Sequence, residues 1–100
     1  MGEPYVHVNY DFGAADQLAS ALTAAANDTH ALIEQRKAAR TSLLGAEPGL
    51  AWDGRHRRDF DRDFTSQQRK LAALEDDLRD ALKVLHRISQ QAHDVNKRHR

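Results

Sequence analysis

The feature that most constrains this chain is a spacing in its second half. Phe60, Phe64, Gln67, Leu71, Leu74, Leu78, Ala81, Leu85, Ile88, Ala92 and Val95 follow one another in alternating steps of four and three. A strand repeats every two residues, so this pattern fits only a long helix with one face against a partner helix. The first half carries a matching row. Leu18, Leu22, Ala25, Thr29, Leu32, Arg36, Ala39 and Leu43 keep the same alternation. A neighbouring row of Ala15, Ala19, Ala26, Ile33 and Leu44 makes that stripe wider than one seam.

Breakers and caps set the limits of the two helices. Residues 1–11 form an arm, in which Pro4 disfavours helix before it and Tyr5, Val6, Val8 and Tyr10 favour extended backbone. No second strand-like segment exists to pair with it, so its aromatics are expected against a helix. Asp11 is the natural N-cap, and Asp16 suits the positive end of the helix dipole. Helix 1 is predicted over about 12–44. Gly45 is a plausible left-handed C-cap, and Gly45-Ala46-Glu47-Pro48-Gly49 reads as a stop and a turn. The turn spans 45–54, helix 2 about 55–95, and 96–100 form a basic tail expected to fray. Helices of these lengths, about 50 and 63 Å at 1.5 Å per residue, fold back into one antiparallel all-α hairpin.

Composition narrows the function. Fifteen basic and fifteen acidic residues cancel, so no net charge draws the chain to nucleic acid. The basic run Arg55-His56-Arg57-Arg58, with Arg62, is interleaved with Asp53, Asp59, Asp61 and Asp63 and reads as salt-bridged. Without cysteine there are no disulfides and no thiolate metal sites. The six histidines show no i,i+3 or i,i+4 pair; His86 and His93 stand seven apart, so no metal site is expected. Nucleotide-binding loops and nucleophile elbows are absent, and a thin helical rod offers little concavity, so no enzyme and no cofactor are expected. No membrane span and no Sec-type signal are expected from residues 1–20 or the rest of the chain.

A lone hairpin leaves much of each apolar stripe in water, and a core this small is marginal. Association with a second hairpin into a four-helix bundle is the physical expectation. The expected partner interface is Leu18, Leu22, Leu32, Ile33, Leu43, Phe64, Leu71, Leu74, Leu78, Leu85 and Ile88.

Trp52, the only tryptophan, lies in the turn as Trp52-Asp53-Gly54, with Phe60 six residues after the glycine. This W-x-G tripeptide, in the middle of a cysteine-free helical chain of 100 residues, resembles the WXG100 (ESAT-6-like) family of small type VII secretion proteins. The resemblance implies head-to-tail homodimers or heterodimers with another WXG100-like hairpin, built as four-helix bundles. It also implies recognition by the type VII (ESX) secretion ATPase and export from the cytoplasm without a cleaved signal peptide. Trp52 and Gly54 would be the turn half of the export signal, with Phe60 as the motif aromatic. The family's second element, Y-x-x-x-D or Y-x-x-x-E after helix 2, has no counterpart, because Tyr10 is the last tyrosine. A partner that carries the element would then complete the signal. Two alternatives stand beside this reading: an adaptor for the helical N-terminal domain of a type VII toxin, and a cytoplasmic structural or regulatory bundle with no export role.

Overall fold

The computed structural model describes residues 9–45 and 54–98, the side chains of Leu44 and Gly45 excepted. Residues 46–53 of the expected turn, including Trp52, and most of the arm lie outside the described residues. The chain is an all-α hairpin of two helices, α1 (Phe12–Gly45) and α2 (Gly54–Arg98). It is an elongated rod of 85 × 19 × 14 Å.

The start of α1 follows from Asp11. Its carboxylate Oδ1 accepts the backbone N–H of Ala14 at 2.9 Å, and its carbonyl accepts that of Ala15 at 3.0 Å. Free N–H groups of the first turn are thereby satisfied. The other end differs from expectation: Gly45 is still helical, and no glycine among the described residues has a positive φ. Helix α2 also outlasts its predicted end, and Asn96, Lys97 and Arg98 continue it. Lys97 and Arg98 there place positive charge at the negative end of the helix dipole, which favours helix over fraying.

The seam between the helices is narrow and rich in small and polar groups. From α1 it takes Ala15, Ala26, Thr29 and Ile33, which are buried, with Ala19, Leu22, Arg36 and Arg40 half-buried beside them. Thr29 stays satisfied by donating to the Ala25 carbonyl at 2.7 Å. From α2 it takes Phe64, Gln68, Leu71, Glu75, Leu78, Leu82, Leu85, Ser89 and Ala92. This departs from the apolar row read in the sequence. Leu71, Leu78, Leu85 and Ala92 are shared, but Gln68, Glu75, Leu82 and Ser89 replace Gln67, Leu74, Ala81 and Ile88.

Each polar group in the seam has a partner, which is what lets it lie there. Gln68 accepts from Arg36 Nε at 2.8 Å and donates to the Ile33 carbonyl at 3.0 Å. Glu75 meets His30 at 3.1 Å and Arg79 at 2.8 Å. Ser89 Oγ lies 2.8 Å from the Tyr10 hydroxyl. Tyr10 thus fastens the end of the arm to α2, as expected of the arm's aromatics. Phe12 stacks on His93 with ring centroids 4.0 Å apart and closes this end of the hairpin.

Candidate protein-interaction face

The contacts across the seam show which flanks of the two helices share a side. On one side Arg79 donates to Asn27 at 3.5 Å and His30 meets Glu75. On the other, Arg36 Nη2 donates to Gln67 Oε1 at 2.5 Å. At about 100° per residue the first side carries Ser20, Thr23, Glu34 and Lys37 from α1 and Arg69, Asp76, Lys83 and His86 from α2. It is a solvated polar side.

The second side is apolar. Here Leu18 is 51% exposed, Leu32 43%, Leu74 47% and Ile88 45%. The register of the cross-helix bonds sets Leu18 level with Ile88, Ala25 with Ala81, Leu32 with Leu74, and Ala39 with Gln67. The stripe runs along both helices together and forms one continuous face. Leu43, 47% exposed, extends it towards the turn, and Val84, 46% exposed, borders it on α2. Leu18 and Leu32, like Leu74 and Ile88, stand fourteen residues apart with Ala25 and Ala81 midway, so large aliphatic side chains are left half-open along one face.

At the turn end the face deepens into an open groove of about 480 Å³. Ala39, Leu43, Phe60 and Phe64 give it apolar walls, and Arg36, Arg40, Asp63 and Gln67 give it a polar rim. Phe60 and Phe64 stack with centroids 6.1 Å apart. The guanidinium groups of Arg36 and Arg40 each lie 5.4 Å from the Phe64 ring centroid, a cation–π arrangement. Arg40 also pairs with Asp61 at 2.6 Å. Arg36 differs, since both its bonds go to the neutral side chains of Gln67 and Gln68.

Two carboxylates feel these cations. The hydrogen bond from Arg40 holds Asp61 below its usual value of 3.8, against desolvation, with further help from the charges of Arg40 and Arg57. Glu75 is held below 4.5, first by the hydrogen bond from Arg79, against desolvation, and then by His30. Both groups tie helix to helix or turn to turn. Neither stands in an enclosed cavity with a nucleophile or a second carboxylate, and among the described residues no cluster of three potential metal ligands forms.

The residues expected at a partner interface therefore divide. Leu18, Leu32, Leu43, Leu74 and Ile88 stand open on the apolar side, and Leu22, Phe64, Leu71, Leu78 and Leu85 are half-buried at its base. Ile33 is different: at 8% exposure it belongs to the hairpin's own seam and has little surface to offer a partner. Val84 was missed because it falls outside the four-three row; its size and its place beside Ala81 and Ile88 were the available signal. Gly54 opens α2, and Phe60 lines the groove. No helix among the described residues is long and apolar enough to cross a membrane. No family model matches the chain, and no curated protein and no solved structure matches it.

Proposed function

We propose that this chain is a non-enzymatic interaction protein that works by pairing its apolar face with a second helical hairpin. We further propose that it serves type VII secretion, as an exported dimer or as the partner that brings another substrate to the secretion ATPase. The observation that carries the first part is the open face from Leu18–Ile88 to Leu43–Phe64, which a second hairpin would cover as a four-helix bundle. The second part rests on the resemblance of Trp52-Asp53-Gly54 and Phe60, in a hairpin of this length, to the WXG100 proteins. The same open face would take the helical domain of a type VII toxin, which keeps the adaptor as the second reading.

Trp52→Ala separates signal from packing. In a strain with active type VII secretion, the variant is expected to keep its helicity and its partner while the protein disappears from the culture medium. Unchanged release would refute the secretory reading. Loss of pairing together with release would make Trp52 a packing residue.

A further inference from the structure

The groove at the turn end is chemically different at its two ends. Leu32 and Leu74 share one level of the rod, and one heptad towards the turn Ala39 and Gln67 share the next. Ala39 is small, and the groove of about 480 Å³ opens beside it. At the end nearer the turn, Leu43 and Phe60 wall it with hydrocarbon. At the other end stand Arg36 and Gln67. From Arg36 to Leu43 the helix rises about 10 Å at 1.5 Å per residue.

The polar end offers donors and a positive charge. Arg36 is half-buried, lies over the Phe64 ring, and donates from Nε to Gln68 and from Nη2 to Gln67. A guanidinium carries five N–H donors, so three are left for a further acceptor. No carboxylate among the described residues pairs with Arg36. Arg40 differs, because Asp61 meets it at 2.6 Å. Gln67 gives its amide oxygen to Arg36, which leaves its NH2 as another donor at the same end. One carboxylate lines the groove, that of Asp63, and Arg62 lies 3.5 Å from it.

We propose that this groove binds a small amphipathic carboxylate, its head on Arg36 and Gln67 and its tail along Leu43, Phe60 and Phe64. Charge selects the head. Two of the remaining Arg36 donors can take both oxygens of a carboxylate, and a charge-assisted pair of this kind is stronger than a bond to a neutral group. A cationic ligand would meet the guanidinium groups of Arg36 and Arg40 instead. The walls select the tail, since a bare anion would leave the two phenyl rings and Leu43 in water. The volume lies within the range of small-molecule sites, and a length of about 10 Å suits a medium-chain acid. Every group named belongs to one hairpin, so the site goes beyond the pairing proposed above and can fail without it.

Calorimetric titration of the full chain with sodium octanoate tests the proposal, with octanol and octylamine as controls that share the tail. One octanoate per chain is expected, bound more tightly than either control. Arg36→Gln should raise the octanoate dissociation constant about tenfold and leave that of octanol unmoved. Arg36 also braces the seam, so two exposed positions carry the same test without touching it. Ala39→Leu fills the hollow and should abolish binding with the helicity kept. Asp63→Asn removes the carboxylate from the groove and should tighten binding about threefold. Octanol or octylamine bound as tightly as octanoate would overturn the proposal, as would an affinity indifferent to Arg36→Gln and Ala39→Leu. An affinity that falls with Leu32→Ala but not with Ala39→Leu would place the acid on the apolar face at large and overturn it too. Failure of octanoate to bind at all would sink the site and leave the pairing reading, which is tested by mass in solution, untouched.

Discussion

Asp11 decides where α1 begins, and the sequence disclosed it because a short acceptor before a helical run has few other uses. Its side chain accepts the Ala14 N–H at 2.9 Å. Asp11→Ala should therefore cost about 1 kcal/mol in urea denaturation, and Asp11→Asn much less. Glu75 was harder to read, because a carboxylate in a seam looks like an error until its partners are known. His30 lies on the facing helix and Arg79 one turn further along α2, so no local pattern announces the trio. Glu75 and Asp61 both titrate lower in the folded hairpin than in the unfolded chain. They stabilise the fold above their unfolded values, and this contribution fades as pH falls through the lowered folded ones. Thermal melts are thus expected to weaken on acidification through the carboxylate range. Glu75→Gln should flatten that slope; an unaltered slope would show that the trio does not contribute.

The helices themselves were legible from periodicity, but the choice of seam was not. Two adjacent rows of α2 share Leu71, Leu78, Leu85 and Ala92. Reading by hydrophobicity selects the row with Leu74, Ala81 and Ile88. The hairpin instead packs on the row with Gln68, Glu75, Leu82 and Ser89. Polar groups can line the narrow internal seam because Arg36, His30 and Tyr10 satisfy them, and the more apolar row is left for the outside. Burial follows partners as well as hydropathy. Neighbouring residues of α1 make this testable. Ile33→Ala should lose about 2 kcal/mol at every protein concentration, since it opens a gap in the hairpin's own seam. Leu32→Ala should lower stability chiefly through association, so its effect should grow with concentration. Equal effects from both substitutions at high dilution would contradict the division of faces.

At the scale of the whole molecule, the hairpin was legible from periodicity, but the side on which its apolar rows stay open was not. That side follows from register: bonds such as His30–Glu75 and Arg36–Gln67 set the exposed rows of both helices on one flank. A rod 85 Å long and only 19 × 14 Å across has little interior of its own. Among the described residues, Leu18, Leu32, Leu43, Leu74, Val84 and Ile88 stand half-open instead. The measurement that bears most directly on this account is the mass in solution at tens of micromolar, by light scattering with circular dichroism on the same sample. The account predicts a helical particle of twice the 11.3 kDa chain mass, with a melting temperature that rises with concentration. A single chain mass of 11.3 kDa with full helicity and a concentration-independent melt would contradict it.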